Sequence, residues 1–178
     1  MEKKLVRCKI LQSTLPKKQM KQANLIFPHQ LFEKSPLFNT EASTYLIEEF
    51  LFFKHYNFHK QKIAFHRATM KAYADFLTQK GKKVNYIDAK NELSDIRKLL
   101  PSIAKEDVSK VHIIDPTDNW LEKHIHQVKG DLEIVWHNNP LFINTKEELS
   151  SFFKPTKKKF FQTSFYKSER KKRGILMD

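Results

Sequence analysis

Residues 58–77 read FHKQKIAFHRATMKAYADFL. At about 100° per residue, Ile63, Met70, Ala74 and Leu77 fall within a narrow arc, the pattern of an amphipathic helix running over roughly 59–80. His59 and His66 fall on the flank of that arc, near Leu77 and Tyr73, while Lys60, Arg67 and Lys71 gather on its other side. Gly81 follows as a C-terminal glycine should. On either side lie Thr44–Ile47 (TYLI) and Val84–Ile87 (VNYI), short β-branched or aromatic runs bounded by polar residues, which read as strands. A helix between two such strands is a crossover unit, and this decides the fold class.

The same alternation continues outward. Ala23–Phe27 (ANLIF), Val111–Ile114 (VHII) and Leu132–Trp136 (LEIVW) read as further strands. Helical stretches cover 92–100, where Pro101 is expected to stop the chain, and 118–128, after the cap-rich cluster Thr117, Asp118 and Asn119. Thr145–Lys–Glu–Glu148 is a capping box opening a short helix that ends near Phe153. A last basic helix is expected from about Lys159 to Arg173. The pattern predicts an α/β, Rossmann-like three-layer sandwich with a five-stranded parallel sheet. Right-handed crossovers place the strand C-termini along one edge. Ligands in such folds bind on that edge, near the switch point in strand order. The candidate binding residues there are Pro28, His29, Gln30, Glu48 and Glu49, with Asp88 and Asp115–Pro116–Thr117 beside them and His59 opening the helix.

The totals bound the function. A chain of 178 residues with 40% hydrophobic and 12% aromatic residues suits one globular domain. No apolar run approaches the roughly 18 residues of a membrane span, and the N-terminus lacks a signal peptide's apolar segment, so a cytoplasmic protein is expected. The single cysteine, Cys8, excludes an internal disulfide and a cysteine-ligated metal site within the chain. With only three glycines, there is no dinucleotide fingerprint and no P-loop. No HExxH motif suggests a metal, and no nucleophile elbow presents a serine.

The net charge of +13 is unevenly placed. Residues 1–22 hold seven Lys/Arg against Glu2, and residues 154–173 hold nine against Glu169, whereas 23–153 carries seventeen of each sign. The expected organisation is a basic extension over 1–22, an α/β domain over 23–153 and a basic helical segment over 154–178. Basic ends are the footprint of a polyanion-facing surface or of solvated tails. Lys157, Lys158, Lys159, Lys171 and Lys172, interleaved with Phe160, Phe161, Phe165 and Tyr166, are the candidate nucleic-acid contacts. The two helix histidines are seven residues apart, roughly 10 Å along the axis, too far to share a metal. Either both are boundary histidines bonded to backbone or carboxylates, or His59, at the ligand edge, meets a ligand; His66, two turns deeper, is structural.

Five segments in order, LIFPHQLF (25–32), IEEFLFF (47–53), the 58–77 helix, IDPTDNWLE (114–122) and FFQTSFYKSERKKRGILMD (160–178), resemble the photolyase-related branch of the cryptochrome/photolyase family. That branch is similar to the bacterial (6-4) photolyases that carry an iron–sulfur cluster. The resemblance covers about residues 23–178. It implies an N-terminal α/β domain able to hold an antenna chromophore, a ribityllumazine in some members, at Pro28, His29, Gln30, Glu48, Glu49 and His59. A helical C-terminal domain, absent here after Asp178, would hold FAD, the iron–sulfur cluster and the DNA lesion, and would be the partner of this one. Lys60, Lys62 and Arg67 then face outward or toward that partner. Many members write Gly-Asp-Gln-Leu where this chain has Pro28-His29-Gln30-Leu31, which changes the antenna contacts. The resemblance therefore implies the antenna-type part of a DNA repair or photoreceptor protein, a lyase family, inactive alone. The alternatives are a free-standing basic nucleic-acid-binding module and an inactive truncated remnant.

Overall fold

A computed structural model describes residues 21–176; the basic stretch over 1–20 lies outside the described residues. Five parallel strands form one sheet in the order β3-β2-β1-β4-β5. They are β1 (Lys21–Ile26), β2 (Ser43–Ile47), β3 (Val84–Ile87), β4 (Val108–Ile114) and β5 (Glu133–His137). All neighbours pair in parallel, so the expected α/β, Rossmann-like sheet is present. The order reverses between β1 and β4, which makes their carboxyl ends the switch point.

Helices cover both faces. On one side, α3 (Ile96–Ala104) and α4 (Asn119–Val128) bring Ile96, Leu99, Leu100, Ile103, Leu121 and Ile125 onto Leu25, Val111 and Ile113. On the other, α2 (Lys60–Gln79) buries Met70, Tyr73 and Leu77 with Ile26, Leu46 and Ile114. Alternate residues of one strand thus feed opposite cores, as the period-2 geometry of a strand requires. A four-residue helix, α1 (Phe50–Phe53), precedes α2. Beyond β5 come α5 (Lys146–Phe152) and α6 (Gln162–Arg173). Among the described residues, no helix is long and apolar enough to cross a membrane.

The connection from β1 to β2 contains no α-helix. A 3₁₀ turn, Pro36–Asn39, stands in its place. Asn24, buried inside β1, holds it by donating to the Leu37 carbonyl (3.3 Å) and to the Thr40 hydroxyl (2.7 Å). A polar residue in the middle of a sheet is costly unless its groups are bonded; here the bonds fasten the loop that covers the sheet.

Local signals set most helix ends. Thr145 and Glu148 form the capping box of α5, Asp118 caps α4 through Leu121 N, and Gly81 sits at a φ of 74° just past α2, where a side chain would be strained. Two boundaries differ from expectation. The last helix begins at Gln162, leaving Lys159–Phe161 outside it. The stretch expected as a helix over 92–100 is a 3₁₀ turn, Glu92–Ser94, followed by α3, which Asp95 caps and which runs through Pro101 to Ala104. The apolar spacing of Ile96, Leu99, Leu100 and Ile103 outweighs the missing proline donor. Arg97 and Pro101 are both exposed on one side of the helix, where water can meet the carbonyl left without its helical partner. Replacing Pro101 by alanine should therefore stabilise the fold, by up to about 3 kcal/mol, measured as an increase in the midpoint of denaturant unfolding followed by circular dichroism.

Candidate functional site

The carboxyl edge of the sheet gathers the candidate residues, but they do different work. Glu48 follows β2 and its side chain is fully buried. Arg67 of α2 grips it with two donors, Nε at 2.8 Å and a second guanidinium nitrogen on Oε2. The Tyr86 hydroxyl (2.6 Å) and Ala89 N (2.8 Å) complete the shell. Burial works to raise the Glu48 carboxyl, but these donors and the guanidinium charge outweigh it and hold it below its ordinary range. Arg67 also reaches Asp88 at 3.3 Å. Arg67 was expected to face outward or toward a partner domain; it turns instead onto the strand ends, because a buried carboxylate needs a charged partner.

Glu49 is equally buried and differently employed. Its carboxylate accepts from Leu51 N (2.5 Å), capping α1, and from Ile96 N (3.4 Å) at the start of α3. Two backbone donors do not offset its burial, and the carboxyl is pushed up to about 7.

The switch point is closed by side chains. Gln30, with no exposed surface, donates from Nε2 to the Ile114 carbonyl (2.9 Å). His29 donates from Nε2 to the Pro116 carbonyl (3.0 Å) and packs against Phe52, ring centroids 4.9 Å apart. Asn139, past β5, bonds the Asp115 carbonyl at 2.9 Å. The C-termini of β1, β4 and β5 are thus laced together where an open fold of this class leaves its crevice. Thr117 in the same loop has a left-handed φ of 51°, bonded to Asp115 Oδ1 at 3.1 Å.

An open groove lies one element over. This groove, of about 680 Å³, runs between the loop after β1 and α2, lined by Pro28, His29, Leu31, Phe32, Phe65, His66, Thr69, Ala72, Tyr73, Phe76 and Leu141. That volume is within the range of small-molecule sites. Phe65 and Leu141 are 69% and 65% exposed, large apolar side chains left in water at its margin. His66 stands over Phe53, ring centroids 6.2 Å apart, and burial lowers its pKa and that of His29. His29 Nδ1 is buried without a partner among the described residues.

Of the candidate binding residues, Pro28 and His29 line this groove. Gln30, Glu48 and Glu49 are spent on the interior. His59 is the N-cap of α2, its Nδ1 accepting from Gln61 N at 3.3 Å, and is exposed. The histidine read as structural, His66, is the one in the groove. What sequence reasoning missed is the stripe Phe65, His66, Thr69, Ala72, Tyr73 and Phe76, one flank of the amphipathic helix; its signal was the continuation of apolar residues past the width that one sheet face needs.

The candidate nucleic-acid lysines also divide. Lys172 pairs with Glu148 at 2.5 Å, and Lys157 lies over the Phe152 ring at 4.1 Å. Lys158, Lys159 and Lys171 are exposed and, like Lys167, carry no ion pair among the described residues. Phe161 and Tyr166 are exposed beside them.

A five-stranded parallel sheet in this order, with helices on both faces, defines a Rossmann-like α/β domain. The chain matches the deoxyribodipyrimidine photo-lyase-related protein family over residues 24–178 and belongs to that family. It is also 37% identical over 177 residues to the uncharacterized protein R852 of Acanthamoeba polyphaga mimivirus, covering 89% of this chain and 86% of that one.

The raised Glu49 carboxyl gives a pH prediction. Folding holds a proton on Glu49 up to about pH 7, whereas the unfolded chain releases it near the ordinary 4.5. The contribution is therefore fully present below 4.5 and is lost as pH rises through 7, on the order of 3 kcal/mol. Between these two pH values, wild type should lose stability relative to Glu49→Gln by about that amount, read from paired unfolding curves.

Proposed function

We propose that this chain acts as the antenna-type α/β part of a photolyase-related DNA repair or photoreceptor protein. It holds a flat heteroaromatic chromophore of the ribityllumazine class and performs no catalysis of its own. The observation that carries this reading is the groove. Phe32, Tyr73 and Phe76 offer aromatic surface for a planar ring system. His29, His66 and Thr69 offer a few polar points among them: His29, whose Nε2 proton is committed to the Pro116 carbonyl, can accept at Nδ1, and the His66 ring and the Thr69 hydroxyl can each give or take a hydrogen bond. An apolar cleft with sparse polar anchors is the usual constitution of a small-molecule site. The FAD and the iron–sulfur cluster that the family resemblance implies are assigned to a helical partner domain, which would also meet the lesion. Cys8, the one cysteine of the chain, lies outside the described residues.

Titrating a ribityllumazine against the purified chain, followed by fluorescence polarisation, tests the site. Ala72→Trp, at an exposed position of α2 that lines the groove, fills the space without entering the core. The expected result is saturable binding to wild type and none to the variant. Equal affinity in both excludes the groove.

A second reading is favoured by the α6 surface. Lys158, Lys159, Lys167 and Lys171 present cations not already neutralised, next to the exposed rings of Phe161 and Tyr166. If these four contact phosphates of duplex DNA, log K falls against log salt with a slope near −3.6, about 0.9 per phosphate. Replacing the four by glutamine should flatten that slope almost to zero. An unchanged slope in the folded variant would show these lysines to be merely solvated.

A further inference from the structure

On the opposite side of the sheet from α3 and α4, three polar side chains meet across β1, β4 and β5. His112 Nδ1 lies 3.1 Å from His137 Nε2, and His112 Nε2 lies 2.8 Å from Gln22 Oε1. The register explains the meeting: Asn24 faces His112, and Ile114 faces His137, so the three residues are diagonal neighbours on one face. His112 is buried, His137 half-buried and Gln22 exposed.

We propose that His112 and His137 form a binding site for one divalent transition ion of the zinc or copper class, with Nδ1 of His112 and Nε2 of His137 as its two protein ligands and water completing the shell. The carbonyl oxygen of Gln22 can only accept, so it fixes the proton of His112 on Nε2 and leaves Nδ1 as a bare lone pair. That is the outer-shell arrangement that orients metal-binding imidazoles. Its partner in the ion-free chain is His137 Nε2 at 3.1 Å; to hold an ion, the two rings would tilt so that their lone pairs converge beside the line joining them. Two nitrogens at that separation subtend roughly 95–100° at an ion held 2.0–2.1 Å from each, between square and tetrahedral values. In the ion-free chain the gap is bridged by the proton of His137 Nε2. On binding, His137, a neutral imidazole, carries its proton on Nδ1 instead, and none leaves the protein.

The surroundings suit an uncharged donor pair. The nearest charges, Lys110 and Glu133, cancel each other as an ion pair at 3.0 Å. The ion would take both rings in their neutral form. Among the described residues, no group of three or more His, Cys, Asp or Glu is placed around one ion. The proposed site has two histidine ligands, and the Gln22 amide acts on one of them and not on the metal.

The test uses Zn²⁺ and Cu²⁺ titrated separately into the full chain by calorimetry, with the melting temperature read in parallel. One ion per chain should bind and raise the melting temperature. His137→Gln should abolish that binding, and His59→Asn, which keeps the α2 cap, should leave it unchanged. Gln22→Leu, which touches no metal ligand, should weaken it by roughly 10- to 100-fold, and Gln22→Glu should tighten it. Because His112→Gln risks the fold, the His137 and Gln22 variants carry the argument. Absence of saturable binding, or binding indifferent to His137→Gln, overturns the proposal and leaves the pair as a hydrogen bond between strands.

Discussion

A carboxylate with no exposed surface sets the geometry of this domain. Glu48 follows β2 directly, and leaving it uncompensated in the interior would cost several kcal/mol. The chain supplies donors from three directions: Arg67 from α2, Tyr86 from β3 and the backbone of Ala89 beyond it. Each bond is also a positional constraint. Arg67 can reach Glu48 only at one rotation of α2 about its axis. At that rotation, Met70, Tyr73 and Leu77 enter the core, and the flank carrying His66 and Thr69 is turned to the groove. The ion pair contributes little net stability by itself, because desolvation offsets it; its effect is to choose among the ways α2 can lie on the sheet.

A second constraint moves the open space. The place where strand order reverses normally accommodates a ligand. Here Gln30 and His29 reach across it to the carbonyls of Ile114 and Pro116, and Asn139 ties in the next strand. Side chains occupy the crevice, and the cavity lies between the loop after β1 and α2 instead. Pro28 and His29 belong to both arrangements: one loop seals the crevice with its polar atoms and walls the groove with its carbon surface.

The architecture was largely legible in the sequence, and the site only in part. Short β-branched runs alternating with amphipathic stretches announced a parallel sheet, since each signal is local and the period of the apolar residues reports which face is buried. Thr145 and Glu148, Asp118 and Gly81 marked their helix ends for the same reason. Pro101 misled, because a proline's cost is local while the gain from Leu99, Leu100 and Ile103 comes from a core assembled from distant segments. Glu48, Glu49 and Gln30 stood at the expected edge, yet nothing in one dimension distinguishes a carboxylate facing a ligand from one facing an arginine nineteen residues away. The same holds for His66: the angular position was correct, but what lay opposite depended on a loop from another strand.

The α5–α6 pair illustrates a different principle. Phe152, Phe153 and Phe165 pack on one another, with ring centroids about 5 Å apart, and none joins either core cluster of the sheet. Glu148 holds Lys172 and Arg173 across the pair, and Lys146 ties it to Asp115 at 3.0 Å. This hairpin carries its own small apolar centre, latched to the sheet domain by charge. Such a unit opens with a free energy of its own, below that of the whole domain. Salt, which screens exposed ion pairs, therefore weakens the fastening of this segment while leaving the apolar cores of the sheet untouched.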